Sequence, residues 1–349
     1  MKRTTSLLLA LLLAIILPSA LFAQKGSYAH VGAGGSHGMV IKKDGSLWAF
    51  GENNRGQLGD GTTTDRRKPV KVLSNVKAVA CGRWHTLAVT NDGSLYAWGK
   101  NDNGELGDGT TTDRHTPVKV LSNVQTVAAG FGHSVAILND GSLYAWGTNK
   151  DSQVGDGSTT NRLTPVKVLD NARQAACGDD FTLAITNDDT LYGWGDNTYG
   201  ALCDGTTTPR PTPMRIRGGV STVSCGWSNT MFITKDGTLY ACGNNESGQS
   251  GIGNFEPRSF TPVRVLSNVK AVNCGYDHTS AILNNGVMYS WGSNYFGQIG
   301  NGNHEDVNKP RKLDTAVKEV ACGDGFTIYI TTTGNFKTIG EIYDKNYGV

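Results

Sequence analysis

The sequence has little net charge and few charged residues, which narrows the classes of partner that it can attract. Lys and Arg number 32, Asp and Glu number 30, and the four types together make up 18% of the chain. Residues 1–23 contain two of the basic residues and no acidic one, so the rest of the chain is formally neutral. A neutral chain has no general attraction to nucleic acid or to an anionic membrane surface. We therefore expect neither as a partner.

Several motifs of catalysis and of cofactor or metal binding are missing. The chain has no phosphate-binding loop of the G-x-x-x-x-G-K-[ST] type, no H-E-x-x-H and no C-x-x-C. Each motif depends on a fixed spacing of ligands or nucleophiles, so these absences argue against nucleotide hydrolysis, zinc proteolysis and dithiol chemistry. The sequence predicts a protein that is not an enzyme and that holds no cofactor and no metal.

The first 23 residues have the pattern of a secretory leader. A basic start at Lys2 and Arg3 precedes an apolar run over residues 7–17, and small residues surround Ala23. This order predicts an exported protein, secreted or periplasmic, that is cleaved after Ala23. A membrane anchor is the alternative, but the apolar run is shorter than the roughly 20 residues that cross a bilayer as a helix.

The seven cysteines cannot all pair within the chain, because their number is odd. Five of them share one repeat position, which is also occupied by Ala33 and Ala129. Those five are Cys81, Cys177, Cys225, Cys274 and Cys322. Because cysteine alternates with alanine there, we expect a small buried apolar site rather than half of a disulfide.

Glycine is abundant, with 46 residues, and it marks an internal repeat. A glycine that ends a Trp-Gly or similar strand recurs every 48 or 49 residues. These glycines are Gly51, Gly99, Gly147, Gly195, Gly243, Gly292 and Gly340. The chain therefore contains six full units and a seventh that lacks its last segment. The units start near residues 31, 79, 127, 175, 223, 272 and 320.

Each unit predicts four short strands. In the second unit these cover residues 79–81, 85–90, 94–98 and 117–121. Asn91-Asp92-Gly93 supplies a tight turn between the second and third strands, and Pro117 is expected to begin an outer edge strand. Such units predict an all-β, seven-bladed β-propeller formed by residues 24–349 as one domain. A linear solenoid is the alternative, but it needs atypical end repeats, and the first unit resembles the middle ones.

The repeat also resembles a known family. Gly82 to Thr86 reads G-x-x-H-T, Asp92 to Gly99 reads D-G-x-L-Y-x-W-G, and Asn53 to Gly61 reads N-x-x-G-Q-L-G-D-G. Over residues 31–340 these motifs resemble the RCC1 (regulator of chromosome condensation) repeat, and the whole chain resembles the exported bacterial type. The resemblance implies a seven-bladed propeller, in agreement with the count of units.

Some units depart from the pattern. The seventh has Ile339 in the Trp position and lacks both the G-Q-L-G loop and the Pro-led strand. Its outer strand is expected from residues 24–30 or 341–349, or is missing. Cys242 in a strand Trp position and Cys203 in a loop Gly position are further departures.

Two short segments vary between units whose other positions hardly change. One lies between the first and second strands, and the other follows the third strand. Both connections leave a blade on the same side, so their residues share one face. Aromatic residues, arginine and carboxylates on rigid turns are typical of an interaction hot spot, although the rings could instead plug the channel or pack between blades. The predicted partner-binding residues are Arg83, Trp84, Phe131, Asp179, Asp180, Tyr199, Trp227, Tyr276, Asp277, Tyr295 and Phe296.

Two repeated features could suggest metal sites, but neither has the required arrangement. Histidine recurs at the G-x-x-H position, where the repeat spreads the side chains around the ring, and we expect each to hydrogen bond to the turn of its own blade. These residues are His37, His85, His133 and His278. The G-D-G-T-T-T-D loops lack the D-x-D-x-D-G spacing of a calcium loop, so their Asp residues are expected to pair with framework arginines. The arginines are Arg66, Arg114, Arg162 and Arg210.

The function predicted from these features is that of an exported, monomeric, non-catalytic module that binds another protein outside the cytoplasm. The resemblance to exported bacterial relatives implies a narrower role as an inhibitor of a secreted enzyme such as a β-lactamase. A propeller that binds carbohydrate or cell wall is the alternative, with rings stacked on sugars and Asp179, Asp180 and Asp277 accepting hydroxyl bonds. A lyase or glycosidase would rest on Asp179 and Asp180 alone. Nucleotide exchange, known in nuclear relatives, is not expected in an exported chain without a basic tail.

Overall fold

Seven four-stranded antiparallel sheets, here called blades, account for the strands of the computed structural model, which describes residues 22–24 and 26–342. In blades 1 to 6 the strands follow chain order from the innermost strand, at a central channel, to the outermost. The predicted seven-bladed propeller is confirmed. Within the described ranges no helix is long and apolar enough to span a membrane. The predicted leader lies, up to residue 21, outside the described residues.

The strands of each blade are as follows, from the innermost to the outermost. Blade 1 contains β2 (Tyr28–Ala33), β3 (His37–Lys42), β4 (Leu47–Gly51) and β5 (Arg66–Leu73). Blade 2 contains β6 (Val76–Cys81), β7 (His85–Thr90), β8 (Leu95–Gly99) and β9 (Arg114–Leu121). Blade 3 contains β10 (Val124–Ala129), β11 (His133–Leu138), β12 (Leu143–Gly147) and β13 (Arg162–Leu169). Blade 4 contains β14 (Ala172–Cys177), β15 (Phe181–Thr186), β16 (Leu191–Gly195) and β17 (Arg210–Arg217).

The remaining blades continue the same order. Blade 5 contains β18 (Val220–Cys225), β19 (Asn229–Thr234), β20 (Leu239–Asn244) and β21 (Arg258–Leu266). Blade 6 contains β22 (Val269–Cys274), β23 (His278–Leu283), β24 (Met288–Gly292) and β25 (Val307–Asp314). Blade 7 contains β26 (Val317–Cys322), β27 (Phe326–Thr331), β28 (Phe336–Gly340) and, as its outer strand, β1 (Phe22–Gln24).

Two strand predictions for the second unit were too short. β6 begins at Val76 because a bulge between Val76 and Ala78 allows further residues to pair with β7. β9 begins at Arg114, which pairs with Gly99, so Pro117 lies inside the strand instead of at its first residue. The proline is tolerated there because β9 is the edge of its sheet, where one side of the strand needs no partner.

The hydrophobic core is divided into clusters that join neighbouring blades. Between blades 2 and 3, Leu95 and Leu106 pack with Val124 and Trp146, and all four side chains are fully buried. The Trp146 indole N–H also donates to the carbonyl of Glu105, at 2.9 Å. The loop after the third strand of one blade is thereby fastened to the next blade.

Blade 7 is completed by residues close to the N-terminus. β1 runs antiparallel to β28, with Phe22 opposite Thr338 and Gln24 opposite Phe336. The expectation that residues 24–30 or 341–349 form this strand was therefore wrong except for Gln24. Residues 28–33 are instead the innermost strand of blade 1, and Tyr28 and Val31 of this strand pack with apolar residues of blade 7.

At one pair of repeat positions, the contact between blades 7 and 1 is apolar, whereas each of the other blade contacts has at least one hydrogen bond there. In blade 2, Thr86 and Trp98 both donate to the carbonyl of Gln57 in the blade 1 loop, each at 2.9 Å. Blade 1 has Gly38 and Phe50 at these two positions, and neither side chain has a donor. Phe50 instead packs with the phenylalanines of blade 7. The sequence of blade 1 is therefore adapted to the shortened seventh unit.

Candidate partner-binding face

The two variable segments of the blades lie on one face of the ring, as predicted. We call this the variable face; it consists of the turns between first and second strands and the loops that follow third strands. Residues of the two sets touch one another: Lys150 Nζ lies 3.7 Å from Asp180 Oδ2, and Phe296 packs over Gly325. The side chains around the channel mouth therefore form one continuous surface.

Hydrogen bonds between the backbones of neighbouring turns hold this face in place. The amide of Arg83 donates to the carbonyl of Gly130, and that of Trp227 donates to Tyr276, at 3.3 and 3.1 Å. Asp324 of blade 7 donates in the same way to Gly35 of blade 1, at 3.1 Å. Turns fixed in this way lose little conformational entropy when a partner binds.

Arg83 is at the centre of the channel mouth. Its guanidinium carbon lies 4.7 Å from the ring centroids of both Trp84 and Phe131 and 5.7 Å from that of Tyr276. Its Nε is 3.4 Å from Asp324 Oδ2, and the side chain is only 19% exposed. One arginine thus connects four blades, through cation–π contacts of about 1 kcal/mol each and an ion pair.

A second aromatic group occupies the mouth on blades 4 to 6. Trp227 and Tyr276 are stacked, with centroids 5.0 Å apart and ring planes 8° from parallel, and Tyr199 lies 5.7 Å from Trp227. The Trp227 indole N–H donates to Asp179 Oδ2 at 2.7 Å. The rings pack against neighbouring blades, which is the alternative that the sequence left open. They are only half-buried, however, so part of each ring is exposed on the variable face.

Three carboxyl groups beside these rings have raised pKa values. Burial, reinforced by the nearby Asp180, raises the pKa of Asp179 to about 7. Burial also raises the pKa of Asp277 to about 7, with Asp324 contributing, and that of Asp180 is raised chiefly by burial. Asp180 and Asp277 each accept a bond from the side-chain amide of a glutamine, Gln153 or Gln249, at 2.7 and 3.0 Å. These three carboxyl groups are therefore partly shielded from water.

Tyr295 and Phe296 lie farther from the centre than the other predicted residues. Their rings meet edge to face at 4.9 Å, and Tyr295 is 70% exposed. The structure thus brings Arg83 together with the rings of blades 2, 3, 5 and 6, and it places Tyr295 on the periphery of the variable face.

Sequence reasoning missed a third variable position on this face, which directly follows the glycine that ends each third strand. Its amide donates to the turn, as Lys100 N does to the carbonyl of Trp84 at 2.9 Å. Lys100 Nζ also lies 5.1 Å from the Trp84 ring centroid. The signal in the sequence is the variation between units at this position. Its occupants are Glu52, Lys100, Thr148, Asp196, Asn244, Ser293 and Glu341.

The repeated histidines join blades, which corrects the expected bond within one blade. His85 Nε2 lies 2.9 Å from Ser134 Oγ of the next blade, and His37, His133 and His278 make the equivalent contact. Burial lowers the pKa of each to about 3, so these imidazoles stay neutral. Among the described residues, no group of three His, Cys, Asp or Glu side chains is arranged to hold a metal ion.

Gly34 to Gly38 reads G-G-S-H-G, which fits the letters of the hydrolase motif G-x-S-x-G. In that motif a strand meets a helix and the serine is a nucleophile. Here the segment connects strands β2 and β3, and the neighbouring His37 is buried against Thr86. The segment is one of the repeated turns of the ring.

The acidic loops are internal framework, as predicted. Asp60 Oδ1 accepts bonds from Thr62, and its other oxygen forms an ion pair with Arg66 at 2.6 Å. The equivalent arginines pair with Asp108, Asp156 and Asp204. Each loop is closed by its own residues.

The cysteines fall into two groups. The five at the shared repeat position are free thiols that line the channel, and burial raises their pKa. Cys225, Cys274 and Cys322 are buried as expected, whereas Cys81 and Cys177 are half-buried. Cys203 and Cys242 form a disulfide between the blade 4 loop and strand β20. In other blade contacts, such as that of Gly59 with Trp98, a loop glycine packs against a strand tryptophan at these two positions.

The chain matches two models described as the Regulator of chromosome condensation (RCC1) repeat. The first matches residues 44–89, 92–137, 140–185, 188–233, 236–282 and 285–330. The second matches residues 28–57, 76–105, 124–153, 172–201, 220–249 and 269–298.

The chain is also similar to other proteins in sequence and in structure. The Protein RCC2 homolog of Xenopus laevis is 38% identical over 73 residues, and E3 ubiquitin-protein ligase HERC2 of Homo sapiens is 40% identical over 57 residues. These matches cover 20% and 15% of this chain but only 14% and 1% of the two relatives. Human WBSCR16 superposes with a TM-score of 0.79 at 24% identity, over 91% of this chain and 87% of that one. Prp20p of Saccharomyces cerevisiae superposes with a TM-score of 0.77 at 21% identity, over 91% of this chain and 83% of that one. At such identities the likeness shows the fold.

Proposed function

Because the chain belongs to the Regulator of chromosome condensation (RCC1) repeat family, we propose that it is a non-catalytic module that binds another protein through the variable face. Proteins of this fold bind other proteins: Prp20p has been described with its binding to Gsp1p and histones, and yeast RCC1 (Prp20) has been solved with Kap60. The small formal net charge of this chain, +2, gives no reason to carry those particular partners over.

The observation that carries the proposal is the group of side chains assembled around Arg83. Tryptophan, tyrosine and arginine dominate the energetics of protein interfaces, and all three are present here, half-buried, on turns that hydrogen bonds hold in register. A preformed group of this kind needs little reordering on binding. It is therefore suited to tight association with a folded protein.

The orientation of the rings favours protein over carbohydrate. Sugar binding requires an open ring face, whereas Trp227 and Tyr276 cover one another and Arg83 lies over Trp84 and Phe131. Lys100 is also placed over Trp84, 5.1 Å from its centroid. Edges and charged groups are thus presented more than flat faces, as in a protein interface.

We place the partner outside the cytoplasm. The predicted leader supports export, and the Cys203–Cys242 disulfide is of a kind that persists in oxidising compartments and is rare in reducing ones. The narrower role, inhibition of a secreted or envelope enzyme, is in keeping with a rigid face that presents arginine and aromatic groups.

Affinity capture on the full chain tests the proposal. The immobilised protein is incubated with extracellular and envelope extracts, and the captured protein is identified, purified and titrated. Replacing Trp84, Phe131, Trp227 and Tyr276 with alanine is expected to weaken binding by a factor of about 100 or more, since truncation of one hot-spot residue costs about 2 kcal/mol.

Trp48→Ala is the matched control. Trp48 is also half-buried, but its indole donates to Ser46 Oγ at 2.9 Å, beside the Asp44-Gly45 turn on the opposite face. Both proteins are first shown to be folded by circular dichroism. Equal affinities for the parent chain and the fourfold variant, or an inability of the parent to bind any protein at micromolar concentration, would overturn the proposal.

A further inference from the structure

A cavity of about 410 Å³ opens on the variable face where blade 7 meets blades 1 and 2. Trp84 and Phe296 supply its aromatic lining, and the turn of blade 1, Gly35 and Ser36, lies along it. Its volume lies within the range of small-molecule pockets, so it is large enough to receive a bulky side chain from a partner.

Two loops of the variable face show what packs against such a turn. Phe296 of the blade 6 loop lies over the turn of blade 7: its Cδ2 is 2.7 Å from the position that a Cβ on Gly325 would take. Tyr199 holds the same repeat position in the blade 4 loop and packs on the turn of blade 5, with 5.7 Å between its ring centroid and that of Trp227. An aromatic ring at this loop position therefore packs on the turn of the next blade.

The turn of blade 1 follows a unit whose loop is incomplete. Gly35 and Ser36 stand where blade 7 has Asp324 and Gly325. The unit that precedes blade 1 in the ring is the seventh, which lacks the G-Q-L-G loop, and the turn of blade 1 faces the cavity. The cavity therefore lies where a loop ring, such as that of Phe296, lies at the contact between blades 6 and 7.

The cations of the lining pair with its carboxylates. Arg55 and Lys100 both pair with Asp102, the second at 3.7 Å, and Arg83 Nε lies 3.4 Å from Asp324 Oδ2. A charged guest would compete with these pairs, whereas an uncharged ring can leave them intact. The guanidinium carbon of Arg83 and the Nζ of Lys100 already lie 4.7 and 5.1 Å from the centroid of one indole of the lining. They can attract a second ring in the same way.

We propose that this cavity is an anchor site for an aromatic side chain, such as that of tyrosine, of the partner protein. The ring would rest on the turn at Gly35 and Ser36, as Phe296 rests on Gly325, with Trp84 beside it. The inference rests on the proposed function and adds to it the chemistry of the partner: an aromatic residue that projects from the partner's surface. Such a ring buries a large area and gains further from contact with other rings and cations, so it is a typical interface anchor.

The test uses a single side chain as the probe. N-acetyl-tyrosine-N-methylamide is titrated into the full chain while the indole N–H signals are followed by NMR, with the Trp84 signal assigned by Trp84→Phe. N-acetyl-leucine-N-methylamide, which is apolar but has no ring, is the matched probe. We expect a saturable shift of the Trp84 signal with the tyrosine probe and an unmoved Trp48 signal. The leucine probe should bind more weakly by a factor of about 10 or more.

Ser36→Phe is expected to fill the cavity with a ring from the chain itself. Blade 2 has Trp84 at this repeat position, so the turn accepts a large side chain there. The variant, shown to be folded by circular dichroism, should bind the tyrosine probe more weakly than the parent by a factor of about 10 or more. Ser122→Phe is the matched control: it adds the same ring at an exposed serine between blades 2 and 3, on the opposite face, and should leave the dissociation constant unchanged.

The chain's own tyrosines near the C-terminus are tested as the alternative occupant. Tyr343 and Tyr347 lie outside the described residues, and Tyr343→Ala/Tyr347→Ala is expected to bind the probe as the parent does. Binding by this variant alone, equal constants for the two probes, an unmoved Trp84 signal, or an unchanged constant in Ser36→Phe would overturn the anchor site. The arms are independent: capture of a partner without a response to the tyrosine probe removes the anchor alone, whereas a response without a captured protein removes the proposed function.

Discussion

Reduction of the Cys203–Cys242 disulfide is expected to lower the midpoint of thermal unfolding by about 5 °C, which corresponds to about 4 kcal/mol. The bond closes a stretch with a sequence separation of 39 residues, so breaking it gives conformational freedom back to the unfolded chain. The disulfide also occupies the place where other blade contacts bury a strand tryptophan. Reduction therefore leaves this contact with neither a disulfide nor a tryptophan. Calorimetry with and without a phosphine reductant measures the shift.

Two variants separate the covalent bond from the packing. Cys203→Gly/Cys242→Trp restores the pair of residues found at other blade contacts, and Cys203 already has a glycine-like φ of 62°. This variant should unfold close to the oxidised parent and should not respond to reductant. Cys203→Ser/Cys242→Ser should unfold at the lower midpoint in both conditions. A parent midpoint that does not move, although mass spectrometry shows the pair reduced, would contradict the expectation.

Asp179→Asn is expected to increase the free energy of unfolding at pH 8 by about 2 kcal/mol, a value reduced for the partial exposure of the group. Burial and Asp180 raise the pKa of Asp179 to about 7, and they outweigh the Trp227 bond and the charges of Arg83 and Lys150. Because the folded-state pKa lies above the unfolded one, ionisation destabilises the fold as the pH rises from about 4 to about 7. The gain from asparagine should therefore be complete above pH 7 and vanish near pH 4.

Asp140→Asn is the matched control with the opposite sign. Bonds from the Ser142 backbone and side chain hold the pKa of Asp140 below its usual range, so its ionised form stabilises the fold at neutral pH. Removal of that charge should lower stability at pH 8. Urea unfolding of the parent and both variants at pH 4, 6 and 8 tests the pair. A gain for Asp179→Asn that did not vary with pH would show that burial of a charge is not its source.

The repeat made the ring predictable, because a regular spacing of strands, turns and glycines fixes both the blade and the number of blades. The variable face was also predictable, since strand order alone places both connections on one side. The partners of His85 and of the Arg83 side chain were not. These contacts cross from one blade to others, and their distances depend on how the blades pack, which the repeat does not encode.

The disulfide illustrates the same limit. Both substitutions, at Cys203 and at Cys242, stand out in the alignment of units. Their pairing is evident only once the loop glycine of one blade is seen to pack on the strand tryptophan of the next. The closure of blade 7 was missed for a different reason: β1 is very short, and two of its three residues lie within the segment that was assigned to the leader.

The pairing of β1 with β28 affects the order of events during maturation of the protein. It brings together segments near opposite ends of the chain: Gly26 and Asn335, which hydrogen bond beside this pairing, are 309 residues apart. The bond after Ala23, where the leader is predicted to be cut, lies inside β1, and a peptide bond in a paired strand is poorly accessible to a protease. Cleavage at the predicted position would therefore have to come before the ring closes. The processed chain would keep only Gln24 of β1, leaving the edge of β28 largely open to another strand.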